Sequence, residues 1–387
     1  MISDFSSNQI PKLCATADVW NRLNKSYMGV TAHWIDLRDF SRKSVAPACV
    51  RVKGSITYAV IGATLEEIFN TYGISQKLTK VITDNGSNFV KAFREFATEI
   101  EEFDKFIPVT INDENDGEGE NVELLNELED VVADDDLQPE IPLIQESISS
   151  VLGVEDTQLC TLPPHFRCAA HTFNLVATTD AEKALKSSAR ICRQAFSKCS
   201  DLWNKYSRST RSADIIRDTT CISLQVPTCT RWNSYYDAVA KIRSISNSNM
   251  SKLCTQLKLS NLSSQELIFL DEYLKVMIHL AQALDRLQGE SDCYMGILLP
   301  TILTATNRLK SEEPRLKVVK PLVKAILTGL ETRFGHYFHD KEFILATVTH
   351  PKFKLEWLPI DRREEVKRDF LGQIKQLRRQ DGLVDDE

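Results

Sequence analysis

Two aspartates end apolar segments at positions where a carboxylate could hold a metal ion. Asp18 ends IPKLCATAD at residues 10–18, and Asp84 ends LTKVITD at residues 78–84. Both segments are typical of β-strands, whose ends can converge on one edge of a mixed sheet. Two carboxylates there would suit Mg²⁺, and a pair of such ions supports phosphodiester chemistry. The alternatives are structural, because Asp84 precedes Asn-Gly and could serve a turn or helix cap, while Asp18 could begin a hairpin loop.

A second group of chemically capable side chains lies in HFRCAAHTFN at residues 165–174. His165, Cys168 and His171 are spaced by three residues. They could ligate Zn²⁺, but a structural zinc site needs four ligands, and no second cluster at ligand spacing accompanies them apart from the distant His336 and His339. The alternative is a buried cysteine with a histidine bonded to the backbone.

The segment TRWN at residues 230–233 pairs a guanidinium with an indole. Arg231 and Trp232 could hold a phosphate or stack on a nucleic-acid base. The alternative is a tryptophan packed in a core, with an arginine at a helix N-terminus. The sequence has no Walker loop, Gly-x-Gly-x-x-Gly, Gly-x-Ser-x-Gly or His-Glu-x-x-His motif, so the chemistries of those motifs have no support.

The charge of the chain is concentrated in one stretch. Residues 112–140 carry 13 acidic and no basic side chains, so the formal net charge of −7 becomes +6 when they are left out. The stretch is typical of a disordered loop, and the remainder is mildly basic and could meet a polyanion.

The ten cysteines form no Cys-x-x-Cys pair, and no apolar run approaches the roughly 20 residues that span a bilayer. We expect reduced thiols, no signal peptide and no membrane partner.

The elements that would position these residues follow from the hydrophobic pattern. The first hundred residues predict the order β-β-β-α-β-α, which is a mixed sheet with helices on its faces. Pro47 should place the third strand, residues 45–53, near an edge or a bulge. The segment VWNRLNKSY at residues 19–27 supplies turn-forming residues between the first two strands. From about residue 180 onward the pattern is nearly all helical.

Four blocks, taken in order, resemble one family. The blocks CATADVWNRLNKSYMGVTAHWID, KVITDNGSNFVKAF, FRCAAHTFNLVA and CTRWNSYYDAV are similar to those of hAT-type transposases and their domesticated relatives, which include BED-type zinc-finger proteins. The resemblance covers most of the chain. It implies an α/β fold in which a ribonuclease-H-like mixed sheet core is interrupted by a large all-helical insertion domain.

The resemblance also assigns roles to individual residues. Asp18 and Asp84 match the first two catalytic aspartates of the family, which would make them ligands of Mg²⁺. The other matching positions look like surroundings that help to handle the DNA end: Cys168, His171, Arg231, Trp232 and Asn233.

The chain departs from the family pattern in three places. The family's third carboxylate lies in a late Ser/Glu-Arg-x-Phe-Ser block that is absent here, as are the dimerisation segment after it and a preceding BED zinc finger. Glu290 and Glu356 are candidate substitutes, but neither lies in a matching block. Since a two-metal site that loses one carboxylate loses most of its rate, we expect a degenerate site that requires no cofactor.

These observations leave three hypotheses. The first is a non-catalytic, transposase-derived protein that binds nucleic acid or regulates, located in the nucleus or in both nucleus and cytoplasm. The second is a fragment of an active transposase that cleaves and transfers DNA strands with metal ions. The third is a purely structural interaction protein with partners on the insertion helices and the acidic loop. The expected segments are the first part of the core at 1–111, the acidic loop at 112–158, the rest of the core at 159–245, the helical insertion at 246–360, and a charged helix with an acidic tail at 361–387.

Overall fold

The computed structural model describes residues 10, 12–97, 160–181, 184–185, 189–228, 232–289 and 293–380. Two compact units divide the chain, Met1–Thr172 and Phe173–Glu387. The expected acidic loop lies outside the described residues. The predicted segment boundaries stay predictions.

A five-stranded mixed sheet forms the centre of the first unit. Its strands lie in the order β3-β2-β1-β4-β5. The pairs β1–β2 and β2–β3 are antiparallel, whereas β1–β4 and β4–β5 are parallel. The strand bounds are β1 Leu13–Arg22, β2 Lys25–Ile35, β3 Arg42–Val52, β4 Leu78–Thr83 and β5 His165–Arg167. The predicted mixed α/β fold is therefore confirmed in its coarse form.

The first hairpin is longer than the sequence predicts. Residues 19–27 form no loop, because β1 runs on to Arg22 and β2 begins at Lys25. Leu23 and Asn24 form the whole turn, and both have left-handed backbones with φ of 48° and 57°. Two successive left-handed residues match the right-handed twist of the paired strands, which permits such a tight connection. Asp18 consequently lies within β1 and does not end it.

Two helices cover one face of the sheet. Helix α1, Tyr58–Thr71, and helix α2, Ser87–Phe96, both pack against apolar side chains that alternate along the strands. Gly73 follows α1 with a φ of 62°, a left-handed conformation that glycine adopts readily just after a helix end. The core comprises the inward-facing strand residues Leu13, Ala15, Ala17, Met28, Val30 and Val81, together with the helix residues Leu65, Phe69, Phe89 and Phe93.

The third strand is an edge strand, as Pro47 predicts. The register between β2 and β3 shifts between Val30 and Ala32, opposite the segment that contains Pro47. A proline cannot donate to a sheet hydrogen bond, so a bulge at an edge is where it is tolerated. The Tyr72 hydroxyl, just after α1, donates a hydrogen bond to the Pro47 carbonyl oxygen.

The regular elements described in the second unit are all helical. Helix α3, Ala169–Leu175, spans the boundary between the units and continues into a π-helical turn at Val176–Asp180. The following helices are α4 Ala189–Arg208, α5 Thr210–Thr220, α6 Trp232–Arg243, α7 Asn247–Leu257, α8 Ser264–Leu287, α9 Leu298–Glu312, α10 Lys320–Phe334, α11 Lys341–Val348 and α12 Ile360–Gln380. None of these described helices combines the length and the apolar character that crossing a membrane requires.

Helix α8 is the central element of this unit. It begins with a capping box, in which Ser263 and Glu266 exchange backbone-to-side-chain hydrogen bonds. Farther along, the buried Glu272 carboxylate accepts hydrogen bonds from the backbone N–H groups of Lys317, Val318 and Val319 at 2.7–3.1 Å. These bonds tie the start of α10 to the middle of α8.

Candidate functional site

Asp18 and Asp84 occupy equivalent positions on neighbouring parallel strands. The last parallel pair between β1 and β4 joins Ala17 to Thr83, and each aspartate is the next residue of its chain. Because side chains alternate across a strand, Asp18 lies on the face opposite the buried Ala17. We call this face, which helices α1 and α2 do not cover, the open face of the sheet.

The Asp84 carboxylate also organises its own turn. Its Oδ1 accepts a hydrogen bond from the Gly86 N–H at 3.0 Å, and helix α2 then begins at Ser87 with no side-chain cap. This is the turn role that the sequence left open. Oδ1 can hold the turn while Oδ2 remains able to bind a metal ion, so the structural and metal-binding interpretations are compatible.

Asp18 and Asp84 interact electrostatically. Asp18 is exposed, yet neighbouring protein atoms desolvate its carboxyl, which raises its pKa, and the negative charge of Asp84 raises that pKa further. The Val19 N–H and the nearby His171 ring oppose the rise. A divalent cation between the carboxylates would relieve this repulsion, and their hard oxygens suit Mg²⁺.

Helix α3 brings the Cys-x-x-His block to the same strand end. The Cys168 N–H donates to the carbonyl oxygen of Thr83 at 2.6 Å, directly before Asp84. Cys168 and His171 are both partly buried, and His171 is close enough to Asp18 to lower its pKa. The structure thus brings Asp18, Asp84, Cys168 and His171 together in one unit.

His165 does not join them as a zinc ligand. Its ring is buried on the core face, stacked on Phe93 with centroids 4.3 Å apart, and its Nε2 lies 2.8 Å from the Thr83 hydroxyl. Burial lowers the pKa of His165 to about 3. Among the described residues, no group of three or more His, Cys, Asp or Glu side chains is placed to hold a metal ion. The alternative of a hydrogen-bonded core histidine is the one that fits, with a hydroxyl as the partner.

The predicted Arg-Trp-Asn block belongs to the second unit, and Arg231 lies outside the described residues. Trp232 is the first residue of α6, is 8% exposed and packs beside Tyr236. Asn233 donates from Nδ2 to Asp285 Oδ1 at 2.7 Å. Trp232 therefore has the core position that the sequence left open as an alternative. The nucleic-acid role of the block stays a prediction.

The open face carries functional candidates that the sequence interpretation missed. Trp20, Tyr27 and Arg51 are direct cross-strand neighbours on β1, β2 and β3, and the paired Arg22 and Lys25 lie on the same face. All but the partly buried Tyr27 are exposed. The period-two pattern of residues 18, 20 and 22 could have revealed them, had the first strand been extended beyond Asp18.

The first unit is similar to a known domain family. Residues 16–108 match the family described as the ZBED1 RNase-like domain. The matched range is less than half of the chain and contains both Asp18 and Asp84. It supports a relation to ZBED and hAT transposase-derived proteins. No curated protein matches the chain.

Proposed function

We propose that this chain is a transposase-derived protein that binds nucleic acid along the open face of its RNase-like sheet and does not cleave it. The proposal rests on one observation, which is that the aspartate pair and several exposed cations lie on the same face of the sheet. Arg22, Lys25 and Arg51 lie on the face that also presents Asp18. Cationic side chains on such a face provide the phosphate contacts that dominate nucleic-acid affinity.

The non-catalytic part of the proposal rests on the ligand count. Among the residues that the structure describes, the site brings together two carboxylates, whereas a two-metal phosphodiester reaction uses ions that clamp both the attacking and the leaving oxygen. Asp18 and Asp84 are the residues that would hold a Mg²⁺ ion, whose contribution would be to neutralise them and to attract a phosphate. His171, whose charge acts on Asp18, would lie beside that phosphate.

The wider architecture belongs to the same proposal. We infer that the helices of the second unit include the all-helical insertion domain, expected at residues 246–360, and that protein partners dock there. We also propose a nuclear or nucleocytoplasmic location. Cys168 and His171, at the strand end beside Asp84, would position the bound strand relative to the aspartates.

Two assays test the proposal on the full chain. Fluorescence anisotropy with labelled single-stranded and duplex DNA should show binding at about 50 mM salt that weakens steeply as salt rises. Incubation with supercoiled plasmid and Mg²⁺ or Mn²⁺ should give no nicking. Metal-dependent nicking that disappears in Asp84→Ala would overturn the non-catalytic proposal in favour of an active transposase fragment. Failure to bind either DNA at low salt would overturn the nucleic-acid role.

A further inference from the structure

An aromatic pair lies on the outer part of the first hairpin. The rings of Trp20 and Tyr27 stack with centroids 6.1 Å apart and an interplanar angle of 21°. The six-membered ring of Trp20 lies over Gly29, where an added Cβ would come within 2.8 Å of it. The absence of a side chain at Gly29 therefore lets the indole lie against the strand, while 40% of the Trp20 surface remains exposed.

Three cations surround this pair. Arg22 and Lys25 are cross-strand partners at the turn, and Arg51 is the cross-strand neighbour of Tyr27 on β3. All three are exposed, and none forms an ion pair with another described residue. The opposite turn differs, because Arg38 pairs with Asp36 there. We call Trp20, Arg22, Lys25, Tyr27 and Arg51 the hairpin platform.

We propose that the hairpin platform binds single-stranded nucleic acid, with an unpaired base stacked on Trp20 and the flanking phosphates on Arg22, Lys25 and Arg51. An exposed aromatic ring among exposed cations is the combination that such strands require, since stacking is available to every base and the cations follow the backbone. The inference rests on the proposed function and adds the form of nucleic acid and the residues that bind it.

The exposed ring favours a single strand over a duplex. Bases within a duplex are already stacked on each other, so a flat aromatic surface gains little from them, whereas an unpaired base gains about 1–3 kcal/mol by stacking on an aromatic side chain. Trp20 also lies on β1, the same strand as Asp18, and is only two residues away from it. A strand bound on Trp20 would therefore pass close to the aspartate pair.

The test uses the full chain and a fluorescein-labelled oligothymidylate of about 20 nucleotides, with a duplex of equal length as comparison. Trp20→Ala should weaken oligothymidylate binding by about 5- to 150-fold, and Trp20→Phe should restore most of it. Lys25→Gln should reduce the slope of log affinity against log salt by about 0.7, because one phosphate contact is lost. Binding should also quench part of the tryptophan fluorescence in the wild type but less in Trp20→Phe.

Two variants elsewhere in the same unit serve as controls. Phe40→Ala removes an aromatic residue that is 75% exposed at the opposite turn, and Lys12→Gln removes an exposed cation just before the other end of β1. Both should bind like the wild type. If Trp20→Ala unfolds by circular dichroism, the fluorescence of Trp20→Phe and the salt slope of Lys25→Gln decide the question.

The outcomes separate this inference from the proposed function. Wild-type binding that Trp20→Ala and Lys25→Gln leave unchanged would overturn the platform and leave the nucleic-acid role intact. Tighter binding to the duplex, with no effect of Trp20→Ala, would also overturn the single-strand assignment. A wild-type chain that binds neither probe would overturn the proposed function itself.

Discussion

Asp18 and Asp84 stand side by side, each one residue beyond the Ala17–Thr83 pair that closes the parallel register of β1 and β4. This placement makes two carboxylates, distant in sequence, into one electrostatic unit. The pKa of Asp18 is raised, first by desolvation and then by the charge of Asp84. The pair thus destabilises the fold at neutral pH, unless a cation binds there.

The first prediction concerns that cation. Millimolar Mg²⁺ should raise the melting temperature of the wild-type chain, because binding only to the folded state stabilises it. In Asp18→Asn the response should disappear, since one of the two hard anionic ligands is lost. Differential scanning fluorimetry with and without Mg²⁺ measures both. Glu67→Gln, which removes an exposed carboxylate on α1, should keep the wild-type response. A Mg²⁺ response retained in Asp18→Asn would show that the ion binds elsewhere.

The second prediction is the pH dependence of the same pair. A raised carboxyl pKa means that the folded state binds more protons than the unfolded state, so Asp18 lowers stability as pH rises through its titration range. Without metal, Asp18→Asn should therefore melt at a higher temperature than the wild type at pH 7. The difference should shrink on acidification and vanish below about pH 3, where the carboxyl is mostly protonated in both states. Thermal melts across this pH range would refute the idea if the difference grew on acidification.

The third prediction concerns His165. Its pKa is lowered to about 3 by burial. Below about pH 6.5 the unfolded chain therefore takes up a proton that the folded chain does not, and the free energy of unfolding decreases as the pH is lowered. At pH 5 this amounts to about 2 kcal/mol of unfolding free energy. His165→Phe should lose this acid sensitivity while keeping the stacking on Phe93. Urea unfolding at pH 7 and pH 5 measures the difference, with the exposed His339→Gln as control. Equal acid sensitivity in His165→Phe and the wild type would contradict the assignment.

The fourth prediction tests the contact between Gly29 and Trp20. Gly29→Ala should destabilise the first unit by about 1–3 kcal/mol, because the new Cβ meets the indole at 2.8 Å. Adding Trp20→Ala should recover part of the loss, and a double-mutant cycle by urea unfolding gives the coupling. Additive effects of the two substitutions would mean that the ring and the glycine do not restrict each other.

The fifth prediction concerns the second unit. Glu272→Ala should lower the unfolding free energy by about 2–5 kcal/mol, because three backbone N–H groups lose their acceptor. Glu272→Gln keeps one carbonyl oxygen, so its unfolding free energy should lie between those of Glu272→Ala and the wild type. The exposed Glu365→Ala on α12 should change stability by less than about 0.5 kcal/mol. A Glu272→Ala chain as stable as this control would show that water replaces the carboxylate.

The elements predicted well are those in which local pattern and tertiary packing agree. The segment around Asp84 reads as strand, turn and helix, and β4 and α2 form there because Val81 and Phe89 are both buried against one core. Gly73 and Pro47 likewise follow from backbone chemistry alone. Such residues restrict φ or hydrogen bonding wherever they occur, so their meaning does not depend on distant contacts.

The hairpin and Trp232 show where local pattern was insufficient. Arg22-Leu23-Asn24-Lys25 has the polarity of a loop, and its pairing depends on cross-strand contacts such as that between Trp20 and Tyr27. Whether Trp232 is buried depends on which helices surround α6, which its own neighbours in sequence do not reveal. Both outcomes are tertiary effects on ambiguous local signals.

The late position of β5 in the sequence has a consequence for folding during synthesis of the chain. Thr83 and His165 are in contact across 82 positions of chain, and β5 itself has only three residues. At about 5–20 residues per second, a ribosome needs about 4–16 s to deliver His165 after Thr83. Throughout that interval, β4 is the outermost strand and offers an unsatisfied edge to any other strand nearby.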